Sequence, residues 1–558
     1  MNYPSLALAT VIIGAISFAL ARRTGRYALS VTAGGGIVFW LHSLRYFGYT
    51  SDDSYISYRY ARNFADGLGL VWNRGEHVEG YTNFLWVVIL AGFDKAGADI
   101  VFTGRWLGFA LGVAAIGGTY ALARALAGKD AGPGAGFAAA FLLAASGPFA
   151  MWGTAGLETS LFAVLLIVAV LAHMREQQAG VLPLSGALWA FVLMTHPSGV
   201  IAFGVSLVFK AAESATRAGR AGAGRPAPYR TEVRALAIWL ASFAVLFVPY
   251  FAWRYAAYGW LFPNTYYAKV GSGIDQYARG LLYADRFFEE YAIWMLLAVP
   301  VALFSGSLNR MRSGYVLAIV GAMMAYIVYV GGDSLLRYRF FAPMLPLVYA
   351  VSVASAAAIA RNVRGWDASR PWAATAAACA AAAALTLFTL QASAGDTAVR
   401  SERVAVQERV EMGRWMAKNL PASTVVAVVP AGSIPYESRL PSIDMLGLSD
   451  EHIAHRQIDL PAIIVGHEKY DSEYVLDRKP EIIILNDHLT RAPWRLPDYD
   501  ALRGQVITAI PDMLKSPRLV EEYELRSAEI IKGSWLNLFV RRDADAVLSR
   551  TLAPPGAP

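Results

Sequence analysis

Residues 181–212 read VLPLSGALWAFVLMTHPSGVIAFGVSLVFKAA. The stretch is either one long membrane span or two short helices that turn at Pro197, and the choice fixes the side on which every later loop emerges. A span needs about 20 apolar residues, and fewer when helices are paired or re-entrant, so length alone leaves both readings open. The basic loops decide between them. Arg and Lys gather in RRTGR at 22–26, ARALAGK ending at Lys129, the stretch from Arg217 to Arg234, NRMR at 309–312 and RNVRG at 361–365. By the positive-inside rule these loops share the cytoplasmic side, so an even number of crossings must separate any two of them. Parity therefore requires two helices in 181–212.

The same constraint sorts the rest of the chain. Apolar runs near 4–21, 28–47, 101–126, 134–150, 158–174, 181–195, 199–212, 235–256, 291–306, 314–330, 340–360 and 371–391 give twelve expected spans. Residues 82–97, TNFLWVVILAGFDKAG, are apolar enough to suggest a thirteenth, but counting it would put Arg124 and Lys129 outside, so the segment reads as a juxtamembrane helix within a first external loop at 48–100. The opening residues lack a basic n-region and a clear cleavage site, which predicts a retained helix rather than a removed signal peptide.

Composition agrees with this reading. Of 558 residues 56% are hydrophobic and 16% charged, far from an ordinary soluble domain. The net charge of +7 lies in the short loops and follows topology, so no nucleic-acid partner is implied. The single Cys379, in an alanine-rich run, excludes a disulfide framework or a thiolate metal cluster. After Leu390 charges return. A helix near 397–420, the β-branched run TVVAVV at 424–429, EIIILN at 481–486 and WLNLFV at 535–540 predict an α/β domain. The expected fold is a polytopic α-helical membrane protein, residues 1–391, with a C-terminal extracytoplasmic α/β domain, residues 392–558.

With this topology the polar loops SDDSYISYRYARN, WGTAGLET at 152–159, HPSG, PNTYYAK at 263–269 and GGDSLLRYR at 331–339 all fall on the extracytoplasmic side. Five loops on one face predict a shared site. Asp52 and Asp53 stand at a membrane boundary, where carboxylates need water, a cation or a substrate. They suit either the N-terminus of a helix beginning near Tyr55 or general-base chemistry. No GxSxG, HExxH or Gly-rich phosphate loop accompanies them, and the eight histidines show no metal-ligand spacing. An external site lacks nucleotide sugars, so activated substrates must arrive on lipid. Arg59, Arg62, Arg254, Lys269, Arg337 and Arg339 are candidates for a lipid phosphate, and Tyr55, Tyr58, Tyr60, Trp72, Tyr81, Tyr266 and Tyr267 for a sugar site. An interfacial belt explains the same residue types.

The run DDSYISYRYARNFADGLGLVWNRGEHVEGYTNFLW at 52–86 resembles the first external loop of the GT-C glycosyltransferases that use polyprenyl-phosphate sugars, and most closely the terminal β-(1→2)-arabinofuranosyltransferases of mycobacterial and corynebacterial cell walls. GLET at 156–159, PNTYYAK, GGD with Arg339-Phe340, IPYESRLPSIDMLGLSDEHIA at 434–454 and GHEKY at 466–470 fit in order. The resemblance implies an inverting transfer, in a bacterial plasma membrane, of a sugar such as D-arabinofuranose from a polyprenyl-phosphate donor to an arabinan-like glycan or a glycoprotein. Carried onto this chain, it makes Asp52 the favoured base and Asp53 its neighbour. Glu79, Tyr81, Asn83, Glu158, His196, Asn264, Tyr267, Lys269, Asp333, Arg337 and Arg339 become donor- or acceptor-binding candidates beside Tyr55, Arg59 and Arg62. Asp52 with Asp53 would be the place for Mg2+ or Mn2+, although two adjacent acids do not complete a site.

Two departures stand out. Two spans precede the acid pair where the family has one, and where many relatives carry an Arg-Pro-acid-Gly turn this chain has HPSG, with His196 in the arginine's place. Rival readings are a transferase of another sugar or onto a pilin-like protein, a lipid-linked sugar flippase, which would need polar residues along a path through the membrane, and an inactive glycan-binding scaffold.

Overall fold

The computed structural model describes residues 2–128, 133–178, 181–220, 226–270, 273–291, 310–362, 381–384, 393–458, 464–504 and 507–544. All but Tyr291 of the expected span 291–306 and all but residues 381–384 of 371–391, together with Lys129 and Cys379, lie outside the described residues, as does part of the loops at 309–312, 217–234 and 361–365. Of the other ten expected spans, nine each coincide with one helix and 134–150 is divided between two.

Among the described residues six helices are long and apolar enough to cross a membrane: Tyr3–Thr24, Ile100–Ala127, Gly199–Gly219, Arg230–Tyr258, Met311–Tyr329 and Arg339–Ala360, the last including a tighter first turn. Tyr27–Ser43, Thr159–Arg175 and Ser185–Thr195 are shorter. The run at 134–150 is broken into Gly134–Ala144 and Gly147–Trp152, with Ser146 between them. Pro197 turns the chain between Ser185–Thr195 and Gly199–Arg220, as parity requires. Phe84–Lys95 is a 12-residue helix, about 18 Å long, too short to span.

The first two helices form a hairpin. Gly25 closes the first in the left-handed region at φ 69°, its N–H returning to the Ala21 carbonyl at 2.9 Å. The first helix is anchored at its other end, where the Tyr3 hydroxyl donates to Asp396 at 2.9 Å.

Helix Ser393–Asn419 leads into a five-stranded sheet of order β2-β1-β3-β5-β4, with β1 Val426–Val428, β2 Ser442–Asp444, β3 Ile482–Ile484, β4 Tyr523–Ile531 and β5 Ser534–Arg541. β1 runs parallel to β2 and β3, whereas β5 is antiparallel to β3 and β4. The runs at 424–429, 481–486 and 535–540 are β1, β3 and β5; the two edge strands are additional. β2 is only three residues long, and β4 carries Glu524, Arg526 and Glu529, so neither announces itself by hydrophobicity.

The tail and the loop at 48–100 share one core. Tyr55, Tyr58, Tyr60, Trp72, Tyr81 and Trp86 are buried with Val406, Val410, Tyr436 and Leu448 of the tail. Polar contacts follow the same seam. Asn73 exchanges two hydrogen bonds with the Ser442 backbone, at 2.9 and 3.0 Å, and Arg478 meets Glu76 at 2.6 Å. The loop at 52–83 is therefore a platform for the tail.

Candidate active site

The five polar loops converge. A cavity of about 210 Å3 is lined by Asp53, Ile56 and Ser57, by Glu158 and Thr159, by His196, Pro197 and Ser198, by Thr265, Tyr266 and Lys269, and by Gly332, Asp333 and Arg339. Tyr81 and Asn83 complete its polar wall. Its other flank is apolar: Val200, Met323, Ile327 and Val330 come from the membrane helices Gly199–Arg220 and Arg310–Tyr329.

Helix Asp52–Ala65 decides which acid enters. It begins at Asp52, earlier than the sequence suggests, and places both acids in its first turn. Successive residues on a helix are rotated by about 100°, so two neighbours cannot face one wall. Asp52 Oδ2 accepts from the Gly432 N–H at 3.0 Å, while Oδ1 accepts from the Ser433 N–H at 3.0 Å and its hydroxyl at 2.6 Å. Arg409 Nη1 lies 3.9 Å away. Asp52 thus faces the tail and does not line the cavity.

Asp53 lines the cavity, its side chain 27% exposed, with Arg339 Nη1 at 3.3 Å and Lys269 Nζ at 4.0 Å from Oδ2. Burial pushes its carboxyl up, but Lys269, Arg339 and His467 together outweigh that and hold it below its ordinary value. It is ionised at neutral pH, beside two cations.

Arg339 is itself positioned by Asp333, through Nε to Oδ2 at 2.8 Å and Nη2 to Oδ1 at 3.1 Å. The preceding backbone is unusual. Arg337 and Tyr338 both adopt positive φ, at 57° and 52°, a conformation costing on the order of 1 kcal/mol or more per non-glycine residue. Gly332, at φ 78°, has no room for a side chain because a Cβ would sit 2.7 Å from the Tyr283 ring. The Trp152 indole holds the loop by donating to the Leu336 carbonyl at 2.9 Å.

Glu158 receives the Asn83 amide at 2.6 Å, and the Ser57 hydroxyl donates to Asn83 Oδ1 at 3.1 Å. Burial raises the Glu158 carboxyl above its usual range despite that bond. His196 is held near its own turn by Ser198 at 2.7 Å, with burial and then Arg339 and Lys269 pulling it down to about 3, so it is neutral.

The remaining candidates stand elsewhere, and each has a structural partner. Arg59 donates to the Trp72, Pro435 and Leu440 carbonyls, and Arg62 donates to the Tyr436 carbonyl at 2.9 Å while lying 3.7 Å over its ring. Tyr55 packs on Tyr436, and the Asn264 amide donates to the Gly447 carbonyl at 2.8 Å. Glu79 makes a two-pronged ion pair with Arg254, whose guanidinium is thereby committed to the loop. Arg337 bonds Asp396 and Tyr291, and the Tyr267 ring lies tilted against His455 at 4.2 Å. Asp52, Tyr55, Arg59 and Arg62 recur at i, i+3, i+7 and i+10, one stripe of the helix, and that stripe is the tail-docking face. The sequence offered this signal; of the sugar-site tyrosines Tyr81 and Tyr266 do line the cavity, whereas Ser57 beside them carried no signal of its own.

A cation shared by Asp52 and Asp53 does not fit this arrangement. Asp52's oxygens are occupied by three donors from the tail, and its neighbour turns toward Arg339. Among the described residues no cluster of three or more His, Cys, Asp or Glu could hold a metal ion.

This architecture matches solved structures. ArnT from Cupriavidus metallidurans bound to undecaprenyl phosphate superposes with a TM-score of 0.56 at 13% identity, covering 94% of this chain and 99% of that one. Its apo form gives 0.52 over 92% and 97%. The chain has the ArnT fold. In sequence, this ArnT-like chain is 28% identical over 348 residues to the terminal β-(1→2)-arabinofuranosyltransferase of Mycobacterium tuberculosis (strain ATCC 25618 / H37Rv), covering 56% of the chain. It spans about half, 51%, of that relative's length. Residues 397–539 match a family described as Domain of unknown function (DUF8728). The resemblance to GT-C glycosyltransferases thus holds in fold and in sequence, with a helical membrane unit and a C-terminal sheet domain.

Proposed function

We propose that the protein is an inverting glycosyltransferase that moves a sugar from a polyprenyl-phosphate donor to a cell-envelope glycan on the extracytoplasmic face of a bacterial plasma membrane. The observation that carries this reading is the cavity itself: one ionised carboxylate, Asp53, faces two cations, Lys269 and Arg339, at the end of an apolar flank built from membrane helices. An isoprenoid tail suits the flank and a phosphate suits the cations. The undecaprenyl phosphate bound by ArnT and the arabinofuranosyl transfer named for the mycobacterial relative support a lipid-phosphate donor and D-arabinofuranose as its sugar.

In the proposed step Asp53 takes the proton of an acceptor hydroxyl. The hydroxyl oxygen forms a bond to the anomeric carbon as the bond from that carbon to the phosphate oxygen breaks. The leaving polyprenyl phosphate takes the electron pair, with its charge met by Lys269 and Arg339. Phosphate leaves readily, so no strong general acid is required. No step is routed through a divalent cation. Asp52 orients the helix by holding the tail.

The test is transfer from synthetic polyprenyl-phosphate arabinofuranose to an oligoarabinan by the full chain in detergent, with the product anomer read by NMR. Turnover with inversion supports the reading. Turnover with another donor sugar, or onto a pilin-like protein alone, would replace the substrate and keep the reaction class.

A further inference from the structure

A second polar cavity, of about 230 Å3, opens between the end of helix Tyr27–Ser43 and the start of helix Ser393–Asn419, and shares no lining residue with the first. Arg45, Arg400 and Arg403 line it, against one carboxylate, Asp396. That carboxylate is already engaged: Arg45 pairs with one oxygen, Arg337 meets the other at 2.5 Å, and Tyr3 donates to both. Among the described residues, Arg400 and Arg403 have no acidic partner within ion-pair distance. The Nε–H of Arg403 is buried with no hydrogen-bond acceptor. Glu402, adjacent in sequence, is turned to Arg409 at 3.2 Å. Positive charge therefore exceeds negative around this cavity, with Arg400 exposed at its mouth and Arg403 half-buried, and a buried guanidinium N–H without an acceptor is costly.

We propose that this cavity binds the phosphate of an anionic phospholipid headgroup. Arginine forks match phosphate oxygens, and an acceptor there would satisfy the Arg403 Nε–H. Leu41 and Leu44 form the apolar side of the opening, and Leu44 is half exposed, while Tyr46 and Tyr49 stand beside the arginines. Leucine, tyrosine and arginine where helices leave the bilayer are the arrangement that recognises a headgroup rather than a free anion. The occupant would join Arg45, in the turn just past helix Tyr27–Ser43, to Arg400 and Arg403 of helix Ser393–Asn419, which also carries Arg409 toward Asp52. Lipid binding here would hold the tail to the membrane unit. This does not depend on the transferase reading.

The experiment is thermal unfolding of the full-length protein in a neutral detergent, with added short-chain phosphatidylglycerol, phosphatidylcholine of equal chain length, or inorganic phosphate. Each is measured for wild type and for an Arg400→Gln, Arg403→Gln double variant. Arg45 is left intact because it secures Asp396. A ligand that binds only the folded state raises the midpoint. The expected result is a rise of several degrees with phosphatidylglycerol beyond that with phosphatidylcholine, absent with inorganic phosphate and reduced by more than half in the double variant. Equal rises with the two lipids, an undiminished rise in the variant, or a full rise with inorganic phosphate alone would each overturn the proposal.

Discussion

Asp52 and Asp53 are adjacent, yet their carboxylates serve different parts of the molecule: Asp52 closes on the Ser433 hydroxyl at 2.6 Å, and Asp53 faces Arg339 at 3.3 Å across the cavity. On this account Asp52 is a tail latch. Ser433→Ala removes one charge-assisted hydrogen bond of three and lowers stability by roughly 1–2 kcal/mol. Asp52→Asn lowers it by more. Urea unfolding of the detergent-solubilised chain, with intrinsic fluorescence as probe, measures both, and equal stability of all three proteins would contradict the latch.

Gly432 fits against that latch without space to spare. A Cβ there would lie 2.1 Å from the Asp52 carbonyl oxygen, a backbone atom that cannot swing away. Gly432→Ala therefore displaces the short tail helix Ser433–Ser438 that Gly432 caps and costs about 1–3 kcal/mol. Transfer activity should fall with it, measured beside the thermal midpoint.

Arg59 is a buried cation neutralised by carbonyls rather than by a carboxylate, with Trp72 and Asn73 on its own loop and Pro435 and Leu440 on the tail. Arg59→Met removes these bonds and leaves the carbonyls unpaired, at a cost of roughly 3 kcal/mol. Limited proteolysis should then release the tail far faster than in wild type. Unchanged cleavage would return Arg59 to the donor site.

The pH dependence of transfer follows from Asp53. A base must be ionised, and this carboxyl is held below its ordinary value, so the acidic limb of the rate profile should lie below the usual carboxylate pKa of about 3.9. The same group contributes stability that is present above its unfolded pKa and lost as pH falls through its lower folded pKa. Lys269→Met removes a cation 4.0 Å away and leaves burial less opposed, so the limb should move to higher pH. A limb that stays in place would uncouple the two residues.

Much of this was legible in the residues. The positive loops and parity placed the turn at Pro197, and the convergence of the five loops followed from the same count, because charge asymmetry and hydropathy act at the scale of whole segments. Which acid faces the cavity did not follow, because that depends on a rotation of about 100° per residue and on where the tail docks. Arg59, Arg62 and Asn264 look like ligands for the same reason: a polar side chain that docks a distant domain cannot be told from one that binds a substrate until the domain is in place. The stripe at 52, 55, 59 and 62 was the available clue. The edge strands β2 and β4 escaped notice because one is short and the other is charged.

The most direct test compares Asp53→Asn with Asp52→Asn in the polyprenyl-phosphate arabinofuranose transfer assay, after matching their folding by thermal midpoint. General-base removal typically costs about 10²–10⁴-fold in rate. The account predicts a loss of that order for Asp53→Asn and a loss within about tenfold for Asp52→Asn, the tail being partly held by its other contacts. The reverse order would contradict it and make the tail-facing carboxylate the base.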